Sequence, residues 1–215
     1  NALGGCLLYL GDQAGAREQL GRAVAIASDY QAFANLATLE FYDSRYAEAA
    51  VLYERALEMD DSDHMVWIGL GEARRFGGGT VESIREAYQQ AADRVSRSLE
   101  GDPGNLGLLI DMASLQLQLD QRDEARAIIE KLPLEEVTAS DAMYSLAEIF
   151  EVLGDRDEAL LWVERSLQAG YPLHIIEDYA AFDELRSDPR YRLLAETHAV
   201  QLSTGTAELK KEGED

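Results

Sequence analysis

The sequence predicts an all-α fold in which helix pairs stack one on the next. A short turn followed by a helical segment recurs along the chain at a spacing of about 34 residues, the length of a two-helix repeat. Apolar residues within each copy fall at the i, i+3 and i+4 positions of an amphipathic helix. The turns begin at four points: Gly11, Ser44, Asp120 and Gly154. We therefore expect one continuous array rather than separate globular domains.

Composition excludes several classes of partner. The chain has 215 residues, and 47% of them are hydrophobic, which is ordinary for a folded protein. No stretch of about 18 apolar residues is present, so we expect no membrane insertion. The chain carries 41 acidic and 19 basic side chains, a net charge of −22, which repels phosphate backbones and argues against nucleic-acid binding. The acidity serves solubility in one interpretation and attracts a basic partner in the other.

The ends of the chain and its cysteine content give weaker indications. Cys6 is the only cysteine, so there is no disulfide framework and no cysteine-based zinc site. It lies on an apolar run, where a packed thiol is expected rather than a reactive one. The chain begins without methionine inside a helical pattern, which indicates a piece of a longer protein. No signal peptide is visible, and a cytoplasmic location is the expectation.

The first two copies establish the unit. The first copy keeps only the end of its first helix, with Leu3, Gly4 and Leu7, and then a full second helix. The second copy, residues 30–63, is complete, with a turn at Ser44. Its helix faces are lined by Phe33, Leu36, Ala37, Ala49, Leu52, Tyr53, Ala56 and Leu57. The alanines allow the two helices to approach closely, and Tyr53 fills the gap toward the next pair.

The later copies repeat this pattern with one irregularity. The third copy carries Trp67, Leu70 and Gly71 on its first helix; the fourth carries Leu109, Met112 and Ala113, and the fifth Met143, Leu146, Ala147 and Phe150. The third copy is extended at residues 77–100, beginning with three glycines. We expect the end of its second helix, with Val95 and Leu99, to project beyond its neighbours. After Gly170, a final helix is predicted from Pro189, capped by Ser187 or Asp188 and running through Leu202.

These units resemble the tetratricopeptide repeat, whose first helix carries large, large and small residues and whose second carries alanine, an aromatic residue and alanine. The resemblance covers residues 1–173 as about five units and implies a right-handed superhelical α-solenoid. Residues 174–202 would then be C-terminal capping helices, and residues 203–215 a polar tail. The run from Leu160 to Tyr191 resembles the end of repeat arrays in multidomain bacterial regulators, where repeats follow a kinase, cyclase or DNA-binding domain.

Motifs for catalysis, cofactors or metals are not evident. The three histidines lie far apart, and none belongs to a zinc-binding His-Glu-x-x-His helix. His174 could share a helical face with Glu177 and Asp178, but a capping histidine near acidic neighbours is the favoured interpretation. Gly69-x-Gly71 follows no strand, so it does not indicate a nucleotide site. We expect no cofactor, no metal and no enzyme activity.

The resemblance also implies a binding groove lined by the first helix of each unit. The groove candidates are Asn35, Thr38, Phe41, Tyr42, Ile68, Glu72, Arg75, Asp111, Ser114, Tyr144, Glu148 and Glu151. Only Asn35 matches the clamp with which chaperone-binding members hold a terminal carboxylate. Glu72, Asp111 and Glu148 would repel a carboxylate, so the expected ligand carries apolar residues and Lys or Arg. Phe41 could instead pack within the array, as could Phe76.

Two functional hypotheses follow. The first is a non-catalytic module that binds a peptide or protein partner in the groove, as part of a larger bacterial regulatory protein. The alternative is a structural spacer or oligomerisation scaffold, including a homodimer, whose groove is filled by its own tail or a second copy. Exposed Tyr42 and Tyr144 would favour binding. We expect that changing Glu72 and Glu148 to lysine leaves stability nearly unchanged and weakens the binding of a basic ligand, and loss of the fold in this double variant would refute the groove assignment.

Overall fold

The computed structural model describes residues 13–26, 29–178 and 182–199. All regular elements in these ranges are helical, so the all-α prediction is confirmed. The chain divides into two compact units between Leu132 and Pro133, called unit 1 and unit 2 below. The first helix of the first copy, with Cys6, lies outside the described residues, as do the predicted end of the last helix at Leu202 and the tail 203–215.

Unit 1 contains a series of helices in which each packs against the next along the chain. They are α1 (Gln13–Ile26), α2 (Tyr30–Tyr42), α3 (Tyr46–Met59), α4 (His64–Phe76), α5 (Val81–Gly101), α6 (Leu106–Gln118) and α7 (Arg122–Ile129). The repeat pairs are α2 with α3, α4 with α5, and α6 with α7. In addition, α2 contacts α4, so the first helices of successive repeats are neighbours.

Small residues allow the helix pairs of unit 1 to approach closely. Ala37, Ala49 and Ala56 are completely buried and form one core cluster with Leu70. Tyr53, from the second helix of its repeat, reaches the following repeat as predicted. A methyl group added at Gly69 would lie 2.5 Å from Cζ of Tyr53.

The next repeat has an equivalent contact. A methyl group added at Gly71 would lie 2.5 Å from Cε1 of Tyr88. The glycines at positions 69 and 71 thus leave room for two aromatic rings, which explains their presence inside α4 without a nucleotide site.

The turns inside the repeats share one backbone conformation. Ser44, Gly78, Asp120 and Gly154 have positive φ angles of 60°, 79°, 66° and 83°. Ser44 and Gly78 are separated by one repeat, and so are Asp120 and Gly154. The turn therefore needs a left-handed residue, which glycine adopts without strain and serine and aspartate do not.

Short polar side chains begin most of the helices in unit 1. Asp29, Asp63, Thr80 and Asn105 each accept a hydrogen bond from a backbone N–H in the first turn of the helix that follows. These caps satisfy donors that would otherwise lack an intrahelical partner.

The long helix of the third repeat has 21 residues, but the prediction that its end projects is wrong. Val95 is completely buried and belongs to a cluster with Met112 and Leu115 of α6, and Leu99 packs against the same cluster. Arg94 also holds this half of α5 in place, since its Nη2 donates to Asp61 at 2.6 Å. The extension is therefore covered by the following repeat, whose own second helix, α7, has only eight residues.

Unit 2 begins with a short 3₁₀ helix and one complete helix pair. Its elements are the 3₁₀ helix Leu134–Glu136, α8 (Ser140–Leu153), α9 (Arg156–Gln168), α10 (Leu173–Asp178), α11 (Asp183–Ser187) and α12, residues 189–199. The pair α8 and α9 buries Leu146, Ala147 and Ala159 completely. This is the large–small packing that the sequence predicts for the fifth copy.

The last helix lies alongside α9 in the same direction. Arg190, at its start, donates to Asp157 at the start of α9 at 2.5 Å, and a surface depression is lined by Glu164 of α9 and Thr197 of α12. Asp188 caps α12 by accepting from the backbone N–H of Arg190 at 2.9 Å. Hydrogen bonds from Arg190 lower the pKa of Asp188 to about 2.

Candidate functional site

The predicted site residues divide between the two units. Those on α2, α4 and α6 belong to unit 1, and we call them the A-helix face: Asn35, Thr38, Phe41, Tyr42, Ile68, Glu72, Arg75, Asp111 and Ser114. Tyr144, Glu148 and Glu151 lie on α8 in unit 2.

Thr38 is engaged inside its own repeat. Its hydroxyl donates to the carbonyl of Ala34 at 3.0 Å, so the 2.9 Å contact with the Tyr53 hydroxyl is donated by the tyrosine. Burial is the main cause that raises the pKa of Tyr53 above its ordinary value. The threonine thus satisfies a buried phenol and supports the helix pair.

Glu72 occupies the corresponding place one repeat later. It is 8% exposed, accepts from the Tyr88 hydroxyl at 2.5 Å and accepts from Arg75 at 2.7 Å. This burial contradicts the expectation that a lysine at position 72 leaves stability nearly unchanged, because the Glu72 carboxylate accepts the hydrogen bond of the buried Tyr88 hydroxyl. A lysine there would bury a second cation beside Arg75 and would leave the phenol without its acceptor.

The aromatic candidates of unit 1 pack against one another. The Phe41 ring lies 5.3 Å from Tyr46, 5.8 Å from Tyr42 and 5.9 Å from Phe76, each time edge to face. Arg75 places its guanidinium 4.6 Å from the Phe76 ring centroid. Phe41 and Phe76 therefore stabilise the junction of two repeats, which is the packing alternative that the sequence left open. Tyr42 is half-buried at the edge of this cluster.

A histidine that periodicity did not single out joins two first helices. His64, the first residue of α4, lies with Nε2 2.9 Å from Oδ2 of Asp111 on α6. Their side chains are 19% and 26% exposed, so the pair is accessible at one edge. The two residues are 47 positions apart, which is not a repeat length. The repeat pattern alone therefore could not pair them.

Other side chains on or beside this face are not engaged in the packing of the repeats. Asn35 and Ser114 are half-buried, and neither side chain hydrogen-bonds within the described parts of the chain. Met65 follows His64 and is 54% exposed. Ile68, in contrast, packs against the core cluster that contains Tyr88 and Met112. The accessible side chains are thus Asn35, Ser114 and Asp111, together with Met65, which lies about one turn before Ile68 on α4 and is included in the A-helix face from here on.

Tyr144, one of the candidates in unit 2, is covered by the segment that follows α9. The Tyr144 ring stacks on Tyr171 with centroids 4.5 Å apart and meets the edge of Phe182 at 5.6 Å. Phe182 is completely buried. Glu151 accepts from Arg156 at 2.5 Å.

Arg156 extends this arrangement to the covering segment, because it also donates to the carbonyl of Glu184 at 3.1 Å. Glu148 is half-buried. The ring contacts of Tyr144 with Tyr171 and Phe182 show that this candidate is packed against the chain's own residues.

Within residues 13–26, 29–178 and 182–199, His, Cys, Asp and Glu side chains form no group of three or more that could hold a metal ion. None of the helices in the same ranges combines the length and hydrophobicity that a bilayer crossing needs.

Comparison with protein families identifies the repeat. Two family models, both described as tetratricopeptide repeat, match residues 35–102 and residues 85–147. The chain is a tetratricopeptide repeat protein. The two matches together span residues 35–147, from within α2 to the middle of α8. None of the curated proteins compared with this tetratricopeptide chain matches it.

Solved structures confirm the fold, an all-α tetratricopeptide solenoid. A thermophilic tetratricopeptide repeat protein from Thermus thermophilus, TTC0263, is 20% identical with a TM-score of 0.58, over 84% of this chain and 96% of that one. A tetratricopeptide repeat protein from Parabacteroides merdae is 16% identical with a TM-score of 0.53, over 85% of this chain and 67% of that one. At these identities the likeness shows the fold alone.

Proposed function

We propose that this chain is a non-catalytic interaction module that binds a segment of a partner protein on the A-helix face of unit 1. Tetratricopeptide repeats are protein-interaction modules, and this general role applies to the chain. The location is supported by the difference between side chains that are engaged inside the repeats and side chains that remain accessible to a ligand. Thr38, Glu72 and Phe41 are engaged inside the repeats, whereas Asn35 and Met65 offer an amide and an apolar side chain to a ligand.

The partner segment that fits this face carries apolar residues together with lysine or arginine. Met65 supplies a flexible and polarizable contact for apolar side chains. Asn35 can donate to and accept from the backbone of an extended segment. The net charge of −22 attracts a basic partner over a distance and speeds its encounter. As part of a larger bacterial regulatory protein, the module would bring such a partner to the domain that precedes the repeats.

The test is fluorescence anisotropy with two labelled peptide pools, one basic and apolar and one ending in acidic residues. We expect the chain to bind the basic pool, more tightly at low salt than near physiological salt. A double variant, Asn35→Ala with Met65→Ala, should weaken this binding several-fold while the helical content is unchanged.

A matched control separates this face from the rest of the surface. Val51 on α3 and Val81 on α5 are 57% and 68% exposed, and they belong to the second helices of their repeats. Replacing both with alanine should leave binding unchanged. Equal losses in the two double variants, or binding of neither pool, would overturn the location on the A-helix face.

The covered face of unit 2 favours a second role for that part of the chain. Tyr144 is packed against Tyr171 and Phe182. This supports a face filled by the chain's own residues, as a spacer or an oligomerisation scaffold would have. Light scattering coupled to size exclusion tests the scaffold directly. A concentration-dependent dimer would favour it, and a monomer that binds the basic pool would favour the interaction module.

A further inference from the structure

We propose that Asp111 is the residue of the A-helix face that binds a lysine or arginine of the partner, and that His64 holds its carboxylate in position. This inference rests on the proposed function, because it names the contact that gives the same face its preference for basic segments. It also replaces the broader expectation that several carboxylates share this role.

The carboxylates near this face differ in how fully they are satisfied. Glu72 has one oxygen on Tyr88 and the other on Arg75. Glu40, at 8% exposure, forms ion pairs with Arg17 and Arg45. A ligand cation could reach either of them only by displacing an internal partner from a buried position, which is costly.

Asp111 differs from Glu40 and Glu72 in how fully its carboxylate is satisfied. His64 contacts Oδ2, and Oδ1 has no hydrogen-bond partner among the described residues. The side chain is 26% exposed, so a second donor can reach it. A carboxylate accepts several hydrogen bonds, and those from cations are the strongest. Asp111 can therefore accept a lysine or arginine without losing its contact with His64.

His64 contributes by limiting the freedom of the carboxylate. It begins α4, where Asp63 caps the helix by accepting from the Met65 N–H at 2.8 Å. The imidazole is thus attached to an ordered helix end, and its 2.9 Å contact fixes Asp111 across the boundary between two repeats. A carboxylate that is already oriented loses less conformational entropy when a ligand binds. His64 is accordingly a positioning residue.

The test uses three labelled peptide pools that are identical except for a central lysine, acetyl-lysine or glutamate. We expect the wild-type chain to bind the lysine pool about fivefold more tightly than the acetyl-lysine pool, the upper range for a partly exposed ion pair. Asp111→Asn should remove this preference while weak binding of the acetyl-lysine pool remains.

Asp123→Asn is the matched control. It makes the same chemical change at an exposed position on α7 and removes one negative charge, as Asp111→Asn does, so it should leave the lysine preference intact. His64→Ala should reduce the preference partly, and His64→Gln, which retains a side-chain donor, should restore it. Asp111→Lys should favour the glutamate pool.

The outcomes separate this inference from the proposed function. If Asp111→Asn keeps the fivefold preference while the double variant Asn35→Ala with Met65→Ala loses binding, Asp111 is not the anchor but the face still binds. If Asp123→Asn reduces the preference as much as Asp111→Asn, overall charge explains it and the anchor is refuted. If no pool binds the wild-type chain, both the proposed function and the anchor fail.

Discussion

Replacing Gly71 with alanine tests the contact that sets the spacing between α4 and α5. The added methyl group would lie 2.5 Å from Cε1 and 2.8 Å from Cδ1 of Tyr88. Carbon atoms normally approach to about 3.5–4.0 Å, so the ring or the helix must move by about 1 Å. Tyr88 is 1% exposed and its hydroxyl is bound to Glu72, which leaves it little room to move.

Two opposing effects determine the magnitude. Overpacking of a core usually costs about 1–3 kcal/mol. Alanine favours a helix over glycine by up to about 1 kcal/mol, which offsets part of that cost. We therefore expect Gly71→Ala to lower the free energy of unfolding of unit 1 by about 1–2 kcal/mol.

Gly21→Ala supplies the control with the opposite sign. Gly21 lies inside α1, and an added methyl group there would meet no atom within 4 Å. Only the helix preference remains, so this variant should raise the stability of its helix by about 0.5–1 kcal/mol.

The measurement is hydrogen exchange of the α4 and α5 amides together with urea denaturation, because repeat arrays need not unfold in two states. Faster exchange in Gly71→Ala and slower exchange around α1 in Gly21→Ala would support the packing. Equal stabilisation by both changes would refute it.

Three further changes have defined directions. Ser44→Gly should raise stability by about 0.5–1 kcal/mol in urea denaturation, because it relieves a left-handed residue in a turn where another repeat uses glycine. Glu72→Lys should lower the melting temperature of unit 1 by several degrees, whereas Glu72→Gln, which keeps an acceptor for Tyr88, should lower it less. Burial raises the pKa of Tyr191 to about 12. The stability that its neutral phenol contributes to the folded state is therefore complete below about pH 10 and is lost as the pH rises toward 12. Tyr191→Phe should therefore lose less stability than the wild type between about pH 10 and 12.

The repeat pattern predicted the fold well because it records local packing. Helix faces follow from the spacing of apolar residues, and the small residues Ala37, Ala49 and Ala56 lie where the periodicity placed them. The burial of Val95 was missed, because the length of α5 is visible in the sequence whereas the position of α6 beside it is a tertiary contact.

The candidate site was less predictable because it depends on partners that the period does not encode. A repeat template places Glu72 on the groove side, but the hydroxyl of Tyr88, sixteen positions later, draws it into the core. The aspartate at position 111 was among the predicted residues, while its contact with His64 joins two repeats at a spacing that no single repeat contains. One available signal was the recurrence of a polar residue on the first helix with a tyrosine on the second, as in Thr38 with Tyr53.

The most direct test of the binding face is chemical-shift mapping by NMR with the tightest single peptide from the lysine pool. We expect perturbed amides around Asn35, Met65 and Asp111 on α2, α4 and α6. The exposed positions Val51 and Val81 on α3 and α5 should be unchanged. Perturbations confined to α3 and α5, or to unit 2, would contradict the assignment of the A-helix face as the partner-binding surface.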